Sequence, residues 1–262
     1  MGALALAATA LGGWPFALLW LAAGIAVAAE WLAMTRAEPR PSLLGLAAAA
    51  LAGLVTGQLL ALGEPIAGAI AAVAAAAIAV LARTGRDRFW SLAGFGYAAI
   101  LTLVPVLVRE RPDLGVWGVL WMFAVVWATD VAGYFTGRAI GGPKLWPSVS
   151  PKKTWSGFAG GVAAGTACGA AVAHLASRSG MALPAPFTVL TLAAALASVG
   201  SQAGDLAESA MKRAFAVKDS GRLIPGHGGV MDRLDGFAAV ALLVGVALVG
   251  ARLAGHPGAA GP

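Results

Sequence analysis

The densest group of residues that could do chemistry lies in the stretch from Ser201 to Gly236. If this stretch begins as a helix, Asp205, Glu208 and Ser209 share one face, because they stand at positions i, i+3 and i+4. Lys212 continues that face one turn further along the chain. Two carboxylates on one helix face suit a hard metal ion, which prefers oxygen ligands.

A glycine-rich segment, Gly226–Gly229, follows the predicted helix and contains His227. Its glycines would let the backbone approach a ligand closely. His227 would then either take part directly or order the loop through a hydrogen bond. Asp232 and Asp235 come next, with Arg233 between them. The segment therefore has the composition of a binding loop rather than of a linker between two helices.

The acids of these two segments predict a magnesium site. Oxygen ligands without cysteine or paired histidine favour Mg²⁺ over Zn²⁺. Two Mg²⁺ ions held between Asp205 and Asp232 would neutralise a polyphosphate and stabilise the charge that develops in an in-line displacement. Asp130, Glu208 and Asp235 are further candidate ligands.

A second candidate site directly precedes the glycine-rich stretch Gly157–Gly161. It contains two adjacent lysines, Lys152 and Lys153, and the hydroxyls of Ser150 and Thr154. A helix that begins at this stretch would offer free N–H groups and a positive dipole, which together with the lysines would form a phosphate cradle. The same lysines would equally suit contact with anionic lipid head groups, and the spacing does not decide between the two.

Three acids, Glu30, Asp130 and Asp205, lie inside or at the edge of apolar stretches, where an ionised side chain costs about 2.5 to 3.5 kcal/mol on insertion scales. Glu30 is near the end of its stretch, so we expect it to pair with a nearby base or to reach the membrane interface. Asp130 lies deeper and shares a helix face with small and polar residues, which predicts the wall of a polar cavity. That face consists of Asp130, Gly133, Tyr134 and Gly137.

The composition excludes an ordinary water-soluble domain. Of 262 residues, 59% are hydrophobic and 11% charged, whereas soluble proteins carry about 25% charged residues. Ala3 to Leu11 is too short to cross a membrane alone, so it either forms a half-helix or extends the first span. The predicted fold is an all-α, polytopic transmembrane bundle of eight or nine spans. The eight spans lie near Trp14 to Met34, Leu43 to Leu62, Ile66 to Ala82, Trp90 to Val108, Val116 to Gly137, Gly157 to Ser177, Phe187 to Leu206 and Asp235 to Ala254.

We expect one integral-membrane domain over residues 1–262, with 1–137 mainly a scaffold, 138–236 carrying the catalytic loops and helices, and 237–262 forming the last span and tail. Faces rich in alanine and glycine predict closely packed helices, since small residues let backbones approach. Cys168 is the only cysteine, so no intrachain disulfide is possible.

The basic residues predict which loops are cytoplasmic. One set of alternate loops holds fourteen Lys and Arg residues and the other set holds four. Because loops rich in Lys and Arg tend to remain on the cytoplasmic side of the membrane, the first set is expected in the cytoplasm and both chain ends outside. The two longest loops, 138–156 and 207–234, belong to the cytoplasmic set. This topology predicts a multi-pass protein of a bacterial inner or cell membrane, with a cytoplasmic active site.

The motifs named above resemble the phosphatidate cytidylyltransferase family. The resemblance covers the C-terminal half well, whereas the N-terminal half resembles the family in hydropathy and in Glu30–Trp31. The matching residues are Asp130 to Arg138, Ser150 to Trp155, Ser201–Gln202, Gly204 to Leu206, Ser209, Lys212–Arg213, Lys218–Asp219, Gly221, Ile224–Pro225, His227 to Gly229, Asp232–Arg233 and Asp235.

The resemblance implies a polytopic, usually dimeric enzyme that condenses CTP with phosphatidic acid to give CDP-diacylglycerol and pyrophosphate. It also implies metal-bound carboxylates at Asp205 and Asp232 and a catalytic lysine at Lys153. The expected partners are therefore CTP, phosphatidic acid, membrane lipids and a second copy of the chain, with no nucleic acid. The candidate substrate-binding residues are Lys152, Ser150, Thr154, Lys212, Arg213, Lys218, His227, Gly228, Gly229 and Arg233.

Two features depart from the family pattern. Ser156 stands where the family usually has glutamate, so one acidic contribution to the site or to its charge balance is absent. The N-terminus is also shorter than in many members.

Two other functions fit parts of the pattern. A CTP-dependent lipid-alcohol kinase, or a cytidylyltransferase acting on another lipid phosphate, would use a similar nucleotide site. A transporter would use Asp130 and Asp205 as intramembrane ion sites. The transporter is disfavoured because the chain shows no inverted repeat and its charged cluster lies at a predicted membrane edge.

Overall fold

The computed structural model describes residues 2–224, 226 and 228–254. Within these residues the chain forms nine helices and one two-stranded sheet. The elements are α1 (Gly2–Leu11), α2 (Gly13–Thr35), α3 (Arg40–Leu59), α4 (Glu64–Leu81), α5 (Gly85–Glu110), α6 (Gly115–Ile140), β1 (Lys144–Trp146), β2 (Ser150–Thr154), α7 (Trp155–Arg178), α8 (Phe187–Ala214) and α9 (Met231–Leu253).

Helices α2 to α9 are the eight described helices that are long and apolar enough to cross a membrane. This confirms the predicted all-α bundle, with eight such helices where eight or nine spans were predicted. The first helix, α1, is a separate element of 10 residues. It ends because Gly12 and Gly13 adopt φ values of 65° and 50°, a conformation that interrupts a right-handed helix. The opening segment is therefore a half-helix rather than an extension of the first span.

The loop predicted over 207–234 is shorter than expected, because α8 continues to Ala214 and α9 begins at Met231. The extension of α8 is stabilised by side chains four residues apart on one face. Ser209 donates a hydrogen bond to Asp205, and Lys212 forms an ion pair with Glu208. Residues 215–230 are left as the connection between the two helices.

The loop predicted over 138–156 contains an antiparallel hairpin that the sequence analysis did not anticipate. Lys144 pairs with Thr154 and Trp146 pairs with Ser150. Gly141 and Gly142, both at positive φ, lie between the end of α6 and the hairpin. Because β2 leads directly into α7, that helix begins at Trp155 rather than at Gly157.

The described residues form two compact units. The first unit contains residues 2–107 and 215–234. Its apolar core lies among α2, α3, α4 and α5, where Leu43, Leu51, Ile78 and Ala98 are buried. The division into scaffold and catalytic segments made from the sequence stays a prediction.

The second unit contains residues 108–214 and 235–254. Its helices α6 and α7 pack closely through a stripe of four buried glycines at every fourth position of α7: Gly157, Gly161, Gly165 and Gly169. A Cβ added at Gly161 would lie 2.8 Å from the carbonyl oxygen of Thr129 on α6. The predicted close packing of small-residue faces is therefore confirmed for this pair of helices.

We expect Gly161→Ala to destabilise the second unit by about 1 to 3 kcal/mol, because the new methyl group meets a backbone oxygen that cannot move without shifting α6. The measurement is thermal unfolding of the detergent-solubilised protein. Gly250→Ala in α9 is the matched control, since nothing lies within 4 Å of a Cβ at that position. Equal melting temperatures for the two variants would contradict the close α6–α7 contact.

Candidate active site

A cavity of about 630 Å³ lies in the second unit, where α6, the hairpin, α7 and α8 meet. Its wall combines basic, acidic and small residues, as a site for a charged ligand requires. The lining residues are Thr129, Asp130, Gly133, Tyr134, Gly137, Arg138, Gly141, Gly142, Lys144, Leu145, Lys152, Lys153, Thr154, Gly157, Phe158, Gln202 and Asp205.

The α6 face predicted from spacing forms one side of this cavity. Asp130, Gly133, Tyr134 and Gly137 all line it. The glycines on this face serve a second purpose, because a Cβ at Gly137 would meet the Cα of Gly157 at 3.3 Å. The same short side chains therefore allow α7 to approach and leave open space beside Asp130.

An ion pair between the hairpin and α8 lies at the cavity wall. Lys153 Nζ is 2.6 Å from Asp205 Oδ2, and the two side chains are 25% and 35% exposed. Ser209 donates a hydrogen bond to Asp205 Oδ1 at 3.3 Å. The structure thus brings together two residues predicted to be catalytic, in a cavity that remains open to a ligand.

The cavity gathers negative as well as positive charge. Asp130 is close enough to Asp235 and Asp205 for their negative charges to repel its carboxylate. The positive charge of Lys153 attracts it. In a wall formed by membrane-spanning helices, such carboxylates repel one another strongly unless cations are close. The arrangement therefore favours a positively charged ligand near Asp130 and Asp205.

The hairpin and the first turn of α7 correct one detail of the predicted phosphate cradle. Lys152, Lys153 and Thr154 line the cavity, whereas Ser150 is not among its described lining residues. Thr154 caps α7, and its hydroxyl accepts the N–H of Gly157 at 3.2 Å. One of the N–H groups expected to face a phosphate is therefore already bonded within the protein.

Ser156, which stands at the family's usual glutamate position, has defined partners. Its hydroxyl donates to the carbonyl oxygen of Gly141 and contacts the Thr154 hydroxyl at 3.0 Å. The serine ties the start of α7 to the end of α6, so it acts on the geometry of the cavity and adds no charge.

Glu208 and Lys212 lie beside the cavity wall rather than on it. Glu208 is 4% exposed and forms an ion pair with Lys212 at 3.6 Å. Arg213, at the end of α8, is exposed. The roles of these residues as metal ligand or substrate contacts stay predictions.

The remaining predicted residues lie in the first unit, in the segment before α9 and in the first turn of that helix. Asp232 Oδ2 accepts the N–H of Gly229 at 2.8 Å and that of Ser220 at 3.0 Å. Gly228 is at a φ of 84° and its carbonyl accepts the N–H of Ile224 at 3.0 Å. Lys218 and Arg233 are exposed, and the predicted contact at His227 lies outside the described residues.

The prediction for Glu30 is wrong. Its side chain is 3% exposed, forms no ion pair with a described base, and accepts hydrogen bonds from the backbone N–H groups of Val230 and Met231 at the start of α9. Backbone N–H groups satisfy the carboxylate, and no pattern of nearby charges could have indicated them.

Several cavity residues were missed by the sequence analysis. Arg138 was named only within the stretch that resembles the family, and Lys144 counted only among the charges that orient the loops, yet both line the cavity. Arg138 donates a hydrogen bond to the Tyr134 hydroxyl at 2.9 Å. Arg138 follows Tyr134 by one turn on the helix face of Asp130, so helical periodicity could have predicted that it lines the cavity. Gln202, whose amide donates to the carbonyl of Phe158 at 3.1 Å, had no such signal beyond its motif.

Most of the chain is similar to proteins of one known family. Residues 1–249 match the profile of the cytidylyltransferase family. The phosphatidate cytidylyltransferase of Brucella suis biovar 1 (strain 1330) is 44% identical over 251 residues, which is 93% of this chain and 88% of that protein. The phosphatidate cytidylyltransferase of Bacillus subtilis (strain 168) is 42% identical over 130 residues, or 50% of this chain and 46% of that protein. The chain belongs to the cytidylyltransferase family, as the resemblance of its signature residues predicted.

Proposed function

We propose that this protein is a phosphatidate cytidylyltransferase, which condenses CTP with phosphatidic acid to give CDP-diacylglycerol and pyrophosphate. The observation that carries the proposal is the cavity of the second unit, where Lys153 and Asp205 form an ion pair beside further cationic side chains. The names of the similar bacterial proteins support the same reaction.

The cationic residues of the cavity suit a triphosphate. Arg138, Lys144, Lys152 and Lys153 come from α6, β1 and β2 and line one wall. Phosphate oxygens accept charge-assisted hydrogen bonds from such side chains. In this proposal Lys153 is the catalytic lysine, because Asp205 holds its ammonium group at a defined position.

The reaction needs little proton chemistry from the protein. The second proton of a phosphate monoester dissociates at a pH of about 6, so the phosphatidate oxygen that attacks the α-phosphorus of CTP is already ionised near neutral pH. A P–O bond forms to this oxygen and the bond to pyrophosphate breaks. The protein can therefore act through positioning and charge stabilisation.

The carboxylates suit Mg²⁺ as the cofactor. No group of three or more His, Cys, Asp or Glu side chains in the described part of the chain converges enough to hold an ion by itself. This fits Mg²⁺, which commonly binds one or two carboxylates together with substrate phosphates. Asp205 and Asp130 would hold it at the cavity, with Asp235 as a further candidate. When bound, Mg²⁺ would neutralise negative charge on the phosphates.

The side of the membrane on which the loops lie and the oligomeric state are part of the same proposal. The surplus of Lys and Arg in alternate loops supports a cytoplasmic location for the hairpin and for residues 215–230. CTP is a cytosolic nucleotide, which requires that side of the membrane. A homodimer is proposed from the family resemblance alone.

The test is an assay in mixed micelles that contain phosphatidic acid, labelled CTP and Mg²⁺. We expect pyrophosphate and lipid-linked label to appear in equal amounts and to depend on Mg²⁺. Lys153→Met is expected to lower the rate at least about a hundredfold, because one phosphate contact and the partner of Asp205 are lost together.

The products separate the alternatives. Release of CDP without labelled lipid would identify a kinase and overturn the proposal. CTP binding without transfer to phosphatidic acid would mean that the lipid acceptor is wrong. Absence of CTP binding would overturn the enzymatic function altogether.

A further inference from the structure

We propose that Glu30, on α2, is a positioning residue that holds the segment carrying Asp232. The inference rests on the proposed function, because it assumes that the placement of Asp232 matters for cytidylyl transfer. Glu30 comes close to the beginning of the chain and Met231 close to its end, and the two are separated by 201 positions in sequence. All residues of the contact belong to the first unit.

Three hydrogen-bond donors of this segment bond the Glu30 carboxylate. Oε1 accepts the N–H of Val230 at 3.0 Å, and Oε2 accepts the N–H of Met231 at 2.8 Å. The hydroxyl of Ser220 donates to Oε2 at 3.3 Å. Two of these donors directly precede Asp232 in sequence, so Glu30 determines where the first turn of α9 begins.

Ser220 connects the two carboxylates. Its hydroxyl bonds Glu30, while its backbone N–H donates to Asp232 Oδ2 at 3.0 Å and to Oδ1 at 3.2 Å. Ser220 is itself 5% exposed. A displacement of the Glu30 carboxylate would therefore move Ser220 and, through it, the carboxylate of Asp232.

Two glycines of the segment leave room for Glu30. A Cβ at Gly221 would meet Glu30 Oε1, and a Cβ at Gly229 would meet Glu30 Oε2 at 2.6 Å. Gly229 also donates its N–H to Asp232 Oδ2 at 2.8 Å. The glycines of this motif therefore serve the approach of a buried carboxylate as well as loop flexibility.

The neighbouring residue on α2 secures the beginning of the same segment. Trp31 Nε1 donates to the carbonyl oxygen of Trp90 at 2.8 Å, and the Trp90 ring packs against Phe215 at a centroid distance of 4.9 Å. Phe215 is the first residue after α8. Glu30 and Trp31 thus contribute to fixing both ends of the connection.

The chemistry of the contact requires a carboxylate. The three partners of Glu30 among the described residues are donors, and an ionised carboxylate only accepts hydrogen bonds. A glutamine would direct its NH₂ group at one of these donors, leaving both unsatisfied in a buried place. An aspartate keeps the acceptor-only group on a side chain one methylene shorter.

The experiment compares Glu30→Gln, Glu30→Asp and the exposed control Glu38→Gln in the full-length protein. We expect Glu30→Gln to lower kcat about a hundredfold, because small displacements of catalytic groups have effects of this size. The KM for CTP is expected to change less than about threefold, since the cationic cavity residues proposed to contact the phosphates lie on α6, β1 and β2, outside this segment. Glu30→Asp should recover about tenfold of the lost kcat, and Glu38→Gln should match the wild type.

Hydrogen exchange provides a readout that does not depend on activity. In Glu30→Gln the amides of Val230 and Met231 should exchange at least about tenfold faster, while those of α7 keep wild-type rates. Unchanged exchange at these two amides, or full kcat despite faster exchange, would overturn the inference. If Glu30→Gln does not fold, Ser220→Ala decides: a three- to tenfold lower kcat supports the proposal, and an unchanged kcat overturns it. A wild-type protein without cytidylyl transfer would refute the proposed function, while the exchange rates would still test the contact.

Discussion

Asp205→Asn is expected to lower turnover by at least about a thousandfold while the protein remains folded. The carboxylate forms the 2.6 Å ion pair with Lys153 and lies on the wall of the cavity. An asparagine would leave Lys153 without its counter-charge. It would also remove a proposed Mg²⁺ ligand, so the positioning of the nucleotide and the neutralisation of its charge would fail together.

The same variant should barely affect stability. The two side chains are 25% and 35% exposed, and ion pairs exposed to this degree contribute about 1 kcal/mol or less to folding. Asp113→Asn is the matched control, because Asp113 forms a 2.7 Å ion pair with Arg111 in the same unit, away from the cavity. It should retain nearly full activity.

The assay follows pyrophosphate and labelled lipid in micelles, together with the melting temperature. A double mutant with Lys153→Met should lose little more activity than either single mutant, since both changes disrupt one pair. If Asp205→Asn kept a rate within about threefold of the wild type, the ion pair would be a surface contact without a role in turnover.

Asp232→Asn is expected to abolish most turnover for two combined reasons. The family resemblance implies that Asp232 binds metal, and its carboxylate also accepts the N–H groups of Ser220 and Gly229. An asparagine offers one acceptor oxygen and directs an NH₂ group at a backbone donor. We expect a loss of at least about a thousandfold, with a melting temperature lowered by a few degrees.

Comparison with Glu30→Gln separates these two contributions. Glu30 holds the same segment without any proposed contact to the substrate, so its variant reports on positioning alone. A larger loss in Asp232→Asn, by about tenfold or more, would support a ligand role. Equal losses in the two variants would contradict that role and leave Asp232 as a residue that orders the segment.

The spans of this protein were predictable because the membrane imposes a local rule. Each span needs about 20 apolar residues with internally bonded backbone, and α2 to α9 satisfy this condition from their own sequences. The α6 face of Asp130, Gly133 and Gly137 was likewise visible, since helical periodicity alone brings these residues to one side. The family followed from a dense run of motif residues between Ser201 and Gly236.

The hairpin and the ends of the long helices were less predictable. Lys144 to Trp146 and Ser150 to Thr154 are short strands without a strong alternating pattern, and they form because they pair with each other. The last turns of α8 are polar enough to be taken for a loop, but side chains four residues apart keep them helical.

The sequence by itself determined a bundle of eight or nine spans, the family and the residue types available for phosphate chemistry. Only the tertiary structure decided that Lys153 meets Asp205 in one cavity and that Glu30 bonds the amides before Asp232. The physical reason is that span formation depends on the local free energy of each segment in lipid. Contacts between residues far apart in sequence depend instead on how small faces such as the α7 glycines let the helices pack.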